Sequence, residues 1–338
     1  MNDKNRELRP PLGGEGYKVC VKCATFNHSA YIKATMDGFC IQNTNFPFVC
    51  VIIDDASTDG NQTIIKHYMH ENFEEAEESI ADDYCRLVAQ HKENRNCNFV
   101  VYLLKENHYS QGKMPLKYSE AQMNQSQYIA MCEGDDYWTD KHKLQKQADA
   151  LDANPQAVLV YTNFRVIDGE GNPISRPLIE RFPGRSHSGD NLPTLLRYGN
   201  YVMTLTTMCR NEVWHTRAYR NCPHKKDFGL TLAAGLMGDF IWLPEQTACY
   251  RSLESGMIRS GLRQGVHWAQ DIYRYYARLV MCGQCKPLSF RQRCRNTTLI
   301  LMRAITRKDK HLKKDTLKAS PLSYLLLPIA IIKLKFKI

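Results

Sequence analysis

Long apolar runs are missing from this 338-residue sequence. The run from Leu322 to Ile332 covers about eleven residues where a bilayer needs roughly twenty, and Pro328 interrupts it. The first sixteen residues, "MNDKNRELRPPLGGEG", carry no apolar stretch, which argues against a signal peptide and predicts a frayed leader over 1–16. Neither GxxxxGK[ST] nor a strand-linked GxGxxG occurs, so no glycine loop cradles a phosphate. Eleven histidines are present, but His28, His224 and His267 lack the company of a Ser or Cys nucleophile at triad spacing and are set aside.

Thirteen cysteines without a secretion signal point to a reducing cytosol and free thiols. Two CxxC pairs, Cys20 with Cys23 and Cys282 with Cys285, raise the question of zinc. The first pair lies in "YKVCVKCATF", which has strand composition, and residues three apart on a strand face opposite sides. Calcium is the other metal suggested locally. Asp55, Ser57, Asp59 and Gly60 match positions 1, 3, 5 and 6 of an EF-hand loop, yet position 12 is Lys66 instead of the bidentate Glu.

What is there is charge, unevenly placed. From Lys286 to Ile338 fourteen Lys and Arg face only Asp309 and Asp315, a net of +12 in a chain of net +10. The remainder is therefore slightly acidic at −2, and the basic C-terminal region is the part that seeks an anionic partner. Its last apolar stretch, beside Lys333, Lys335 and Lys337, suits a segment lying on an anionic membrane surface. No nucleic-acid-binding motif accompanies these charges, so nucleic acid is not expected as a partner. Packing of this segment on the domain or on a partner protein is the remaining reading.

The rest alternates strands with helices. Strands are expected at Tyr17–Ala24, Phe48–Ile53, Phe99–Leu104 and Tyr128–Cys132, with residues 73–98 as a charged surface insertion. Asp59 is placed to cap the helix that begins "NQTII". Such alternation implies right-handed crossovers, an α/β fold and a mostly parallel sheet, whose ligands sit beyond the carboxyl ends of the strands. Three strand ends carry polar or acidic groups: Thr25 and Asn27; Asp54 and Asp55; Glu133, Asp135 and Asp136. The acids are expected to line one cleft, where Mg²⁺ or Mn²⁺ could bridge carboxylates to a diphosphate.

"CATFNHSAYI", "VIIDDASTDG" and "YIAMCEGDDYWTDKHKLQKQ", in this order and spacing, resemble the successive motifs of family 2 glycosyltransferases with the GT-A fold, of the kind that builds bacterial surface polysaccharides. The resemblance covers about residues 17–256 and leaves 257–338 as a helical basic extension. It implies a donor half, 17–138, and an acceptor half, 139–256. It places Asp54 or Asp55 near the base of a nucleotide-sugar donor, most often a UDP-sugar. The family's DxD motif reads Glu133-Gly134-Asp135 here, which leaves Asp135 as the metal ligand and Glu133 for the ribose. Thr25, Asn27 and Asp136 join the donor site, and Lys113, after Gly112, could approach the phosphates. Trp138 is expected to pack in the core beneath the motif.

Downstream, "HKKDFGLTLAAGLMGDFIWLPEQTACYR" resembles the acceptor-side segment and ends in Tyr250-Arg251. By this resemblance Asp227 is the general base of an inverting transfer, with Asp239 its competitor. The expected enzyme is a metal-dependent glycosyltransferase acting on a saccharide or lipid-linked acceptor at the inner face of the cytoplasmic membrane. A nucleotidyltransferase and an inactive nucleotide-sugar-binding protein are the alternatives.

Overall fold

Phe48 to Asp54, "FVCVIID", is buried at every position, and it lies near the middle of the sheet. A strand covered on both faces loses water from each side chain, and each buried Val or Ile contributes about 1.5–3 kcal/mol. In a computed structural model of the chain, residues 16–176, 179, 181–224, 226–253, 262–284, 286–319 and 322–336 are described.

The strands are β1 (Tyr17–Thr25), β2 (Phe48–Asp54), β3 (Glu77–Ile80), β4 (Tyr84–Gln90), β5 (Cys97–Leu104), β6 (Ser126–Met131), β7 (Tyr137–Trp138), β8 (Ala157–Ile167), β9 (Thr207–Arg210) and β10 (Asp239–Arg251). The α-helices α1 (Ile32–Cys40), α2 (Asn61–Asn72), α3 (Glu120–Asn124), α4 (Lys143–Ala153), α5 (Leu192–Tyr198), α6 (Glu212–His215), α7 (Arg217–Arg220) and α8 (Asp227–Met237) lie between them. Among the described residues four more follow: α9 (Leu262–Met281), α10 (Phe290–Thr306), α11 (Lys310–Ala319) and α12 (Leu322–Phe336).

One sheet runs in the order β3-β4-β5-β2-β1-β6-β9-β8-β10-β7. Only β4, β7 and β9 run against the others. The neighbours β2, β1 and β6 are parallel, with Thr25 opposite Asp54, so their carboxyl ends share one edge. The expected α/β, mostly parallel architecture is therefore present. Residues 73–98 are less of a surface insertion than the sequence suggests. They include the β3–β4 ribbon, of which β4 pairs along its whole length with β5, from Tyr84 opposite Leu104 to Gln90 opposite Asn98.

Cys20 and Cys23 point into separate hydrophobic clusters on the two sides of the sheet, as strand alternation requires. Both are buried and cannot share one metal ion from a regular strand. Cys282 is exposed, and Cys285 lies outside the described residues. Trp138 is buried and donates Nε1–H to Leu205 O at 2.8 Å, with Phe39 edge-on at 4.9 Å. It is a core residue, as expected.

The C-terminal region is helical and partly core. Ile272, Tyr273, Tyr276, Ala277 and Val280 of α9 join the same cluster as Phe228, Leu230 and Leu232 of α8. Arg274 grips Asp309 through two hydrogen bonds of 3.1 and 2.9 Å, tying α9 to the start of α11. From α12, Leu326 and Ala330 are buried against Leu301 and Met302 of α10, with Leu322, Leu327 and Leu334 partly buried beside them. Among the described residues no helix is long and apolar enough to cross a membrane.

Candidate active site

The loops after β1 and β2 are stitched together. Thr58 N donates to Asn27 Oδ1 at 2.8 Å, Asn27 N to Ser57 Oγ at 2.8 Å, and Ser29 N to Asp59 Oδ2 at 2.8 Å. Asp59 also accepts from Asn61 N, the first amide of α2, although the N-cap position itself is Gly60 and not Asp59 as the sequence suggests. Asn27 and Ala56 have positive φ, 56° and 61°. Asn tolerates this conformation and Ala does so at a cost, which the surrounding bonds hold in place.

The adjacent acids of the second loop have different surroundings. Asp54, fully buried, accepts from Ser57 N, Ser57 Oγ, Asn61 Nδ2 and Gln62 Nε2 at 2.6–2.9 Å. Four donors fill its four lone-pair sites, so it organises the loop and has no capacity left for a ligand. Asp55 accepts one amide on each oxygen, from His108 N at 2.8 Å and Tyr109 N at 2.9 Å. Each of its oxygens keeps a free lone pair, and it anchors the loop that carries Lys113. Lys113 itself is exposed at the end of a turn through Gly112 (φ 70°), which closes by Lys113 N to His108 O at 2.9 Å.

The third loop, after β6, passes against the first. Gly134 N donates to Ala24 O at 2.9 Å, and a Cβ on Gly134 would lie 2.5 Å from Thr25 Cβ and Oγ1. Only glycine permits that approach, and it sets Glu133 and Asp135 on either side of the crossing. Buried Thr25 is thus a spacer, its hydroxyl accepting from Asn61 Nδ2 at 3.1 Å. Glu133 is half-buried, and its pKa is pushed up to about 8 by desolvation, then by the Asp135 and Asp227 carboxylates. The side chains of Glu133 and Asp135 accept no hydrogen bond from another described residue. His28 Nε2 stands 3.8 Å from Asp135 Oδ2.

Asp136 differs from both. It is buried, its Oδ1 accepts from Arg251 N at 2.7 Å, and burial followed by the Asp135 and Glu133 charges raises its pKa. Arg251 in turn donates Nε–H to Asp135 O at 2.9 Å and its terminal N–H groups to Asp168 O and Gly169 O. Tyr250-Arg251 is therefore a brace that ties the end of β10 to the acidic loop.

Asp227 opens α8 on the facing wall. Its Oδ2 accepts from Asn200 Nδ2 at 3.2 Å, with Thr204 Oγ1 at 3.5 Å. The carboxylate reaches the cleft solvent, yet protein around it raises its pKa by desolvation, against the pull of the Phe228 amide and Lys226. Lys226 Nζ donates to Tyr109 OH at 2.8 Å, so the α8 terminus touches the loop anchored by Asp55. Asp239 is at the wrong end. It is the first residue of β10, on the edge opposite the strand carboxyl ends, and pairs with Lys286 at 3.4 Å.

The profile of the family described as glycosyl transferase family 2 matches residues 20–208. The chain belongs to glycosyl transferase family 2. An uncharacterized protein of Mycobacterium tuberculosis and one of Mycobacterium bovis are each 30% identical over 239 residues, 70% of this chain. The chain spans 59% of the length of these curated relatives. Among solved structures, a Staphylococcus aureus TarS fragment in complex with UDP aligns with a TM-score of 0.58 at 16% identity, over 93% of this chain and 86% of that one. The fragment in complex with UDP-GlcNAc aligns at 0.54 and 15% identity, over 93% and 79%. The fold is GT-A.

Sequence reasoning missed His28, discarded for want of a nucleophile, although its place in "TFNHS" at the end of β1 was the signal. His108 was missed too. It is buried beside Tyr118, with Nδ1 unpartnered among the described residues.

Proposed function

We propose that the chain transfers a sugar from a nucleotide-sugar donor, a UDP-sugar, to a saccharide or lipid-linked acceptor with inversion, in surface polysaccharide synthesis. The observation that supports this is the pairing of Glu133 and Asp135 on either side of the Gly134 crossing, neither accepting a side-chain hydrogen bond from another described residue, with the Asp227 charge among those that raise the Glu133 pKa. Asp55, with its spare lone pairs, is the acid that accepts from the base, while Asp54, Asp136 and Thr25 hold the loops that present it.

The donor set fits a hard cation. Among the described residues the Asp135 carboxylate raises the charge cost of Glu133 without either accepting a side-chain hydrogen bond, and oxygen ligands shared with a diphosphate would suit Mg²⁺ or Mn²⁺. Asp135 is the ligand, with Glu133 toward the ribose. When bound, the ion neutralises charge that develops on the departing diphosphate. The acceptor hydroxyl attacks the anomeric carbon, the bond from that carbon to the diphosphate oxygen breaks, and Asp227 takes the hydroxyl proton. Lys226 and Tyr109 close the wall between donor loop and acceptor helix.

UDP-, GDP- and dTDP-sugars, each with Mn²⁺, distinguish the donors by thermal stabilisation. At a concentration 100 times Kd the bound donor adds about 2.7 kcal/mol, a clear rise in midpoint. Stabilisation by UDP-sugars with release of UDP supports the reading. A chain indifferent to all three would refute it.

The location belongs to the same reading: a peripheral protein at the inner face of the cytoplasmic membrane. On α12, Tyr324, Leu325, Ile329, Ile331, Ile332 and Phe336 are exposed, alongside Lys333 and Lys335. Lys310, Lys313, Lys314 and Lys318 line a cleft of about 270 Å³ together with Leu317 and Tyr324. Each Lys near an anionic leaflet contributes about 1 kcal/mol. The chain is expected to pellet with phosphatidylserine vesicles, less so as salt rises, and Leu325→Glu with Ile329→Glu to stay in the supernatant. Pelleting unaffected by both salt and these substitutions would remove α12 from the membrane.

A further inference from the structure

Four arginines gather at the end of α5 with no acid among them. Arg303 of α10 lays its guanidinium over the Tyr273 ring at 4.2 Å and against Gly199, where a Cβ would lie 3.0 Å from both terminal nitrogens. Arg185 and Arg197 flank the half-exposed Tyr198 ring at 4.5 and 5.5 Å. Burial holds the Arg303 pKa below its ordinary value, and the like charges of Arg307 and Arg197 add to this. Among the described residues none of the four guanidiniums has a carboxylate partner or donates a side-chain hydrogen bond. Other arginines nearby are paired: Arg274 with Asp309, Arg278 with Asp315, Arg295 with Asp190.

A structural explanation covers only part of this. Arg197, in the last turn of α5, is favoured by the helix dipole, but Arg303 and Arg307 come from another helix into a site already positive. Unpaired guanidiniums, half-buried at Arg185, Arg197 and Arg303 and exposed at Arg307, are suited to a planar oxyanion, above all phosphate, which accepts two N–H bonds from one guanidinium. Their place on the wall indicates whose phosphate. Gly199, with φ 88°, lets the backbone pass the Arg303 guanidinium, and the next residue, Asn200, donates to Asp227. The cluster thus adjoins the acceptor side, one residue along the chain from the group that holds the base.

We propose that Arg185, Arg197, Arg303 and Arg307 form a subsite for a phosphate group of the acceptor, flanking the hydroxyl that Asp227 deprotonates. The acceptor is then a phosphorylated saccharide, not a neutral sugar. This rests on the reading of the cleft as a glycosyltransferase site.

The test is calorimetric titration of the full chain already saturated with UDP and Mn²⁺, so that the donor site is filled. Glucose 6-phosphate, inorganic phosphate and glucose are the probes. Glucose 6-phosphate is expected to bind at least about tenfold tighter than either of the others, and R303A to weaken it about tenfold or more. Because R303A removes a group packed on Tyr273, R197Q/R307Q, which leaves that packing in place, carries the same expectation. Unchanged glucose 6-phosphate binding in folded R197Q/R307Q would overturn the subsite. Inorganic phosphate binding as tightly as the sugar phosphate would make it a general anion site, and no binding of glucose 6-phosphate would also overturn it. Absence of UDP binding in the unmodified chain, measured first, overturns the transferase reading instead.

Discussion

Asp227→Asn is expected to leave UDP binding near that of the unmodified chain and to lower sugar transfer by about 10²- to 10⁴-fold, the range general-base removal costs. The substitution keeps size and shape at the first position of α8, and its amide oxygen can still accept from Asn200 Nδ2. It cannot take a proton. The pH profile separates this role from mere positioning. Desolvation raises the Asp227 pKa, so its basic form is present above a pKa higher than that of an ordinary carboxylate. Transfer by the unmodified chain should therefore fall as pH drops through that raised value, and the Asn variant should lose this limb. Full transfer in the variant would move the base elsewhere, and Glu133 would be next, since Asp239 sits at the opposite edge of the sheet.

What the sequence made legible follows from how each element is buried. β2 reads as an unbroken apolar run because both of its faces are covered, and its acids stand out where the run stops. β4, "YCRLVAQ", alternates half-buried and buried residues on an antiparallel ribbon, and its mixed pattern passes for a loop. β9 has four residues, and its place between β6 and β8 depends on partners 46 to 82 positions away. The site shows the same division. Motif order singled out Asp135 and Asp227 as candidates, but nothing in "IIDDAS" distinguishes Asp54 from Asp55. The difference comes from Asn61 and Gln62 on one side and the amides of His108 and Tyr109 on the other. Arg251, likewise, is a brace only because β10 ends beside the acidic loop. Such roles are set by tertiary partners, which local patterns do not carry.

Asp135 and Asp136 are neighbours whose removal should have opposite signatures. Asp135→Ala deletes a half-buried carboxylate whose nearest polar contact is His28 at 3.8 Å, while the backbone carbonyl that Arg251 Nε uses stays in place. The fold has little to lose. UDP affinity in the presence of Mn²⁺ is expected to drop by more than about 100-fold, because removing a direct ligand should cost at least as much as the 10- to 100-fold seen for outer partners of metal sites. Metal-free UDP binding, and the thermal midpoint without ligand, should stay as they are. Asp136→Ala removes the acceptor of the buried Arg251 amide, and an unsatisfied buried donor costs about 1–3 kcal/mol. Its thermal midpoint should fall even without ligand. Calorimetric titration of UDP with and without Mn²⁺, beside melting of both variants, reads the two effects separately. Undiminished Mn²⁺-dependent UDP affinity in Asp135→Ala would take the metal away from Asp135, because no fold damage would be there to obscure the result.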